Sequence, residues 1–178
     1  DTSEEVMPFV YYNVAAGEKI ARVSANMAMA ADMEVRASST ATTGAYSSAC
    51  QRGLPAILME RGGGGRFTDS EVQAYKRDVK NIMIRMGLLS GEEVHTVQQK
   101  NVTRAEYLEA ETDGLWYPVF SAGDTFAGGA VLGTVRDIWG NLLREYRADY
   151  PGIILYQTVG LGVKAGDPLI AYGEYVDR

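Results

Sequence analysis

The sequence predicts an α/β portion over residues 1–88, built as a mainly parallel sheet with flanking helices, followed by a small all-β, barrel-like domain over residues 105–178. Three observations carry this reading. Strand-like and helix-like runs alternate up to Gly87. A polar stretch without clear period follows, and residues 89–104 read as a linker. Beyond Ala105, short runs rich in Tyr, Val, Ile, Leu and Trp are cut by turn residues roughly every ten positions, the signature of a small β domain.

In the first portion, Pro8 to Asn13 is rich in aromatic and β-branched residues and reads as a strand. Glu18 to Met33 is rich in Ala and Met and reads as a helix. Glu34 to Ala37 reads as a short extended stretch, and Tyr46 to Arg52 as a short helix stopped by Gly53. Pro55 to Met59 is a continuous apolar run between a proline and a glycine cluster, the pattern of a fully buried parallel strand. Thr68 and Glu71 form a capping box that opens a long helix, and Asp69 adds negative charge to its first turn. Val72, Tyr75, Val79, Ile82, Met83 and Met86 give this helix one apolar stripe, and Gly87 ends it. The β portion is punctuated at Gly123-Asp124, Gly128-Gly129, Gly140-Asn141, Pro151-Gly152 and Gly166-Asp167.

Composition narrows the function. The net charge is −6, and an acidic chain without a basic cluster is a poor binder of nucleic acid or anionic membrane. No apolar run approaches the ~20 residues that span a bilayer, and no secretory pattern opens the sequence. Cys50 is the single cysteine, which fits a reducing cytoplasm. His95 is the single histidine. A catalytic zinc site usually takes three protein ligands dominated by histidine, so one His and one Cys do not readily build one here. The sequence opens on Asp1, which reads as a piece, or the ordered part, of a longer protein.

The segment from Leu54 to Phe67, LPAILMERGGGGRF, is the centre of chemical interest. An apolar strand ends in a carboxylate, Glu60; after Arg61 come Gly62 to Gly65, and then a capped helix. A carboxylate partly removed from water at a strand end has a raised proton affinity and suits general-base work. Three readings compete on local pattern. Glu60 is catalytic; or the glycine loop and helix N-terminus cradle a phosphate; or the loop is a flexible connection and Glu60 pairs with Arg61 or Arg66. The phosphate reading is the weakest, because no GxxxxGK[ST] pattern is present.

The run GLPAILMERGGGGRFTDSEVQAYKRDVKNIMIRMGLL resembles the segment of succinylglutamate desuccinylase/aspartoacylase relatives that carries their catalytic glutamate. The opening, DTSEEVMPFVYYN, resembles the stretch just after the family's Asp-Leu-His zinc motif, and the run from Leu115 to Glu174 resembles its C-terminal β domain. The GGGGR variant is most similar to the family's N-acetyl-diaminobutyrate deacetylase branch. The resemblance implies a carboxypeptidase-like zinc-hydrolase fold, of whose α/β domain this chain carries the second half. It implies Zn2+ held by a His-x-x-Glu pair and a later His, none of which this chain holds, since His95 is followed by Thr96, Val97 and Gln98. The metal ligands, and the family's arginine for the substrate carboxylate, are therefore expected upstream of Asp1. The implied reaction is hydrolysis of the amide of an N-acyl amino acid in the cytoplasm. Zinc activates a water, and Glu60 takes the water's proton and delivers it to the departing amine. This chain alone is expected to be inactive without the missing N-terminal part of the same protein, and homo-oligomerisation is compatible with it. The alternatives are a desuccinylase rather than a deacetylase, or a metal-free binding or regulatory module.

The remaining candidates carry plainer expectations. Arg66 suits either an anionic substrate or a surface ion pair. Arg61 is expected to point away from Glu60 if strand alternation continues. His95, beside Glu92 and Glu93, is expected to be exposed or locally hydrogen-bonded. Met27, Met29 and Met33 suit core or subunit-interface packing. Lys164 lies in GVKAGD rather than in a biotinyl or lipoyl carrier motif, so a structural role is expected for that turn. Trp116, Tyr117 and Tyr156 are candidates to close over a site, or core aromatics.

Overall fold

The structure is a computed structural model that describes residues 3–175. Two compact units emerge. An α/β unit comprises Pro8–Arg61 and Phe67–Thr103, and a β unit comprises the residues up to Met7, Gly62–Arg66 and the chain from Arg104 onward. The chain opens with a short strand of the β unit, β1 (Glu4–Val6), which the sequence pattern did not reveal.

In the α/β unit, β2 (Phe9–Asn13) is buried at every residue. It lies between β3 (Val35–Ser39), which runs parallel to it, and β4 (Ile57–Glu60), which runs antiparallel. A parallel strand, β5 (Lys100–Val102), completes the order β4-β2-β3-β5. Three helices, α1 (Glu18–Ala30), α2 (Ala45–Gln51) and α3 (Asp69–Arg85), accompany this sheet. Val10, Tyr12, Ala28, Ala31 and Met33 form the buried apolar cluster, with Ile57, Met59 and Tyr75 packed against it. Small residues on the inner face of α1, Ser24, Ala28 and Ala30, let helix and sheet approach closely.

Four expectations change here. The apolar run before Glu60 is not a fully buried parallel strand: β4 is antiparallel, stands at the end of the described strand order, and leaves Leu58 36% exposed. The helix expected to reach Met33 stops at Ala30, because the Asp32 amide donates to the buried Asp78 carboxylate at 2.8 Å and the chain turns extended. The period of α3 is as expected, but its most buried row is Ala74, Asp78 and Asn81; Val79, Met83 and Met86 of the apolar stripe are exposed. Residues 89–104, read as a linker, carry β5 and are bonded into the α/β unit up to Thr103. Gln99 donates to the Ala28 and Ala31 carbonyls, and Asn81 exchanges two hydrogen bonds with the Val94 backbone.

The β unit is two sheets around one core, with no closed barrel. One sheet has the order β1-β11-β13-β6, using β6 (Ala105–Glu109), β11 (Gly152–Thr158) and β13 (Pro168–Glu174), with β8 (Thr125–Phe126) paired to β11. The other has the order β10-β9-β7-β12, using β7 (Gly114–Pro118), β9 (Val131–Arg136), β10 (Leu142–Arg147) and β12 (Gly162–Val163). Trp116, Leu132, Val135 and Tyr146 from the second sheet meet Ile154, Leu169, Ile170 and Tyr172 from the first in one buried cluster. Each fully buried aliphatic or aromatic side chain contributes about 1.5–3 kcal/mol.

Gly133 is where this core is tightest. A Cβ there would lie 2.7 Å from Cζ2 and Cζ3 of Trp116, whose ring rests on the glycine. Gly133→Ala is therefore expected to cost about 1–3 kcal/mol of stability by overpacking. Gly162→Ala, where an added Cβ meets nothing within 4 Å, is expected to change stability far less. Urea denaturation of the pair checks the contrast.

Candidate active site

Glu60 ends β4, opposite Phe9 at the start of β2. Because β4 runs against its neighbour, its carboxyl end coincides with the amino ends of the parallel strands β2, β3 and β5. The rule that ligands gather beyond the carboxyl ends of parallel strands therefore does not place Glu60. Its surroundings speak more directly. The residue is half-buried, and burial raises its carboxyl above the usual carboxylate range. It has no hydrogen bond or ion pair to another described residue. A half-buried carboxylate with no hydrogen bond or ion pair to the described residues is an available proton acceptor among them.

Arg61 turns to the helix side. Its guanidinium donates to Asp78 at 2.8 Å and to the Asp32 carbonyl at 3.3 Å, and it lies over the Tyr75 ring at 5.8 Å from the centroid. Asp78 is fully buried and the Arg61 side chain is 10% exposed, so this is an interior pair. The reading in which Glu60 pairs with Arg61 thus gives way, because Arg61 pairs with Asp78 of α3. Tyr75, one helical turn before Asp78, donates its hydroxyl to the Met59 carbonyl at 3.2 Å. Burial, and then the charge of Glu60, raise the Tyr75 hydroxyl above its ordinary value.

Asp32 anchors the adjoining polar network. It accepts from the Thr96 amide at 2.6 Å, the Thr96 hydroxyl at 2.7 Å and the Val97 amide at 3.2 Å, and it pairs with Arg77 at 2.8 Å. Burial by itself would raise its carboxyl; those hydrogen bonds, with Arg77, hold it below the usual range. Sequence reading missed Asp32, Asp78 and Tyr75 as a group. The available signal was an aspartate three residues after Tyr75, off the apolar stripe, in a helix whose Arg77 needs a counter-charge.

The glycine loop is a tight turn built for close packing within the β unit. The Arg66 amide donates to the Gly63 carbonyl at 3.1 Å, and the Gly64 amide donates to the Glu4 carbonyl at 2.8 Å. Gly62, Gly64 and Gly65 have φ of +83°, +59° and +67°, and a Cβ on Gly63 would stand 2.6 Å from the Glu4 carbonyl oxygen. The capping box of α3 is present, with the Glu71 carboxylate on the Thr68 amide and hydroxyl and the Glu71 amide on Thr68. Three donors of the phosphate-cradle reading, the Gly64, Arg66 and Glu71 amides, are already bonded within the chain. Arg66 itself is exposed.

Other candidates settle simply. His95 bonds Glu93 at 2.9 Å, and Glu93 also holds Arg85. Met33 is fully buried and Met29 is 45% exposed. Cys50 is buried and its thiol donates to the Ala56 carbonyl. Lys164 is exposed in the turn that Asp167 closes by accepting from its amide at 2.8 Å. Trp116 is buried in the core of the β unit, Tyr117 is exposed, and Tyr156 is half-buried.

Among the described residues, no group of three His, Cys, Asp or Glu side chains could hold a metal ion. The described residues thus offer no ligand set that fits zinc. Among the described residues, no helix is long and apolar enough to cross a membrane.

No family model matches the chain. Solved structures define its class at the level of fold. It matches a succinylglutamate desuccinylase/aspartoacylase from Rhodobacter sphaeroides with a TM-score of 0.82 and 22% identity, covering 98% of this chain and 56% of that one. It matches the product-bound ectoine utilization protein EutE (DoeB) from Ruegeria pomeroyi with a TM-score of 0.86 and 22% identity, covering 98% of this chain and 55% of that one. The family resemblance drawn from the sequence is thus borne out in the fold. In sequence, the chain is similar to an N-alpha-acetyl-L-2,4-diaminobutyric acid deacetylase from Halomonas elongata, 28% identical over 127 residues. That match takes in 68% of this chain and 37% of the relative, so the chain spans well under the full length of the proteins it resembles.

Proposed function

We propose that the full-length protein hydrolyses the amide bond of a small N-acyl amino acid, with Glu60 as its general base. The observation that carries this reading is a half-buried carboxylate of raised proton affinity, without a hydrogen bond or ion pair to another described residue, at the end of a paired strand. It falls in a chain similar to a diaminobutyrate deacetylase. Glu60 accepts a proton from the attacking water and returns it to the departing amine, so its carboxylate must start ionised and end ionised. Met59 and Arg61, bonded on either side, fix the strand end from which it acts.

Zinc, in this reading, belongs to the full-length protein and supplies Lewis acidity. Its ligands come from a part of the protein other than this chain, and with them the α/β unit completes a carboxypeptidase-like domain. The reading places the protein in the cytoplasm and leaves Arg66 as a candidate for an anionic group of the substrate. The named activity of the Halomonas relative favours an acetyl group; the desuccinylase names among the structural neighbours make succinyl the second reading.

Metal analysis of the full-length protein, with a panel of N-acetyl and N-succinyl amino acids, tests the proposal. Stoichiometric zinc and release of free amine from one acyl series are expected. No amine release from any member of a zinc-loaded sample's panel would remove the hydrolase reading.

A further inference from the structure

Tyr75 and Asp78 lie three residues apart in α3 and therefore share one face of the helix. Tyr75 reaches β4 and Asp78 the residue just after it, so they grip the residues on either side of Glu60. The Tyr75 hydroxyl donates to the carbonyl of Met59 at 3.2 Å. Asp78 holds the Arg61 guanidinium at 2.8 Å, and that guanidinium lies over the Tyr75 ring. The grip is itself rigid. Asp78 is fully buried, and its second oxygen accepts from the Asp32 amide at 2.8 Å, so its orientation is locked from both sides. Along an extended strand, a side chain held on one face leaves its neighbour on the other. Fixing the Met59 carbonyl and the Arg61 side chain therefore fixes the backbone from which the Glu60 side chain departs, with no bond from either to its carboxylate. A base that must accept a proton and then deliver it to another atom gains from this arrangement. A direct hydrogen bond would steady the carboxylate but lower its proton affinity.

We infer that Tyr75 and the Asp78–Arg61 pair are positioning residues for Glu60, acting on the two neighbouring residues from one face of α3. The inference rests on the reading of Glu60 as general base. The test uses the full-length protein and the N-acyl amino acid it hydrolyses fastest. Tyr75→Phe keeps the ring beneath Arg61 and removes only the bond to Met59. It is expected to lower kcat about tenfold with KM within about twofold, since small misplacements of a reacting group cost rate rather than binding. Arg61→Lys keeps the charge but loses the planar fork, and the same split is expected; it also stands in if Tyr75→Phe does not fold. Glu60→Gln is run beside them. If Glu60→Gln is inactive while Tyr75→Phe and Arg61→Lys turn over at the wild-type kcat, the positioning inference is overturned and the base assignment stands. If Glu60→Gln turns over normally, the base assignment fails first.

Discussion

Glu60→Gln in the full-length protein is expected to lower kcat by ~10²–10⁴, the usual contribution of a positioned general base, with little change in KM. The same substitution is expected to raise the thermal midpoint at neutral pH. Burial raises the proton affinity of Glu60 in the folded state, so the folded protein binds that proton more tightly than the unfolded chain does. The associated stability is fully present below the ordinary glutamate pKa. It is lost as pH rises through the elevated folded value, where the half-buried carboxylate must ionise. Glutamine never ionises and escapes that loss. Lower turnover with higher stability is the signature of a residue retained for chemistry. Steady-state kinetics and thermal unfolding at pH 7 and pH 4 check both, and the stability difference should shrink at the lower pH.

Asp32→Asn is expected to cost about 3–5 kcal/mol, the range for removing one partner from a buried ion pair. The carboxylate is fully buried and serves the Thr96 amide and hydroxyl, the Val97 amide and Arg77 at once. Asparagine offers a single acceptor oxygen and no charge, so at least one buried donor loses its partner. The loss should be local before it is global. Amide exchange at Thr96 and Val97 is expected to accelerate more than exchange in β2, because those two amides depend directly on Asp32. The pH dependence has the opposite sign to that of Glu60. The native pKa of Asp32 is depressed, so its contribution is present above the ordinary aspartate pKa and disappears as pH falls through the lower native value. Asp32→Asn should therefore flatten the acid limb of the stability profile.

Apolar runs, glycine stops and the capping box place α1, α2, α3, β2 and β4 correctly to within a few residues, because those signals are local. What local pattern does not contain is direction and pairing. The Pro55–Met59 run reads as a buried parallel strand, yet it pairs antiparallel with β2, since apolar composition marks burial and not strand sense. The stripe on α3 has the right period but not the most buried face. Asp78 and Asn81 go inside because Arg61 and the Val94 backbone await them, partners distant in sequence. The polar stretch after Gly87 looks like a connector for the same reason: its order comes from Asp32, Asn81 and Gln99 of the α/β unit rather than from its own periodicity. The β unit reads as barrel-like from its turn spacing, which does not distinguish a closed barrel from two sheets around a shared core. Glu60 is already a candidate in the sequence, where it ends an apolar run just before Arg61 and four glycines and where the family resemblance picks it out. The helix residues that steady its strand are not, because each of their contacts spans more than ten positions.

A crystal structure of the full-length protein with the free amine product of its best N-acyl substrate bears most directly on whether this side chain handles the proton. The expected result is a Glu60 carboxylate oxygen within ~2.6–3.2 Å of the product amino nitrogen, with Arg61 still turned to Asp78. An amine lodged elsewhere, beyond reach of Glu60 even through one bridging water, would contradict the account.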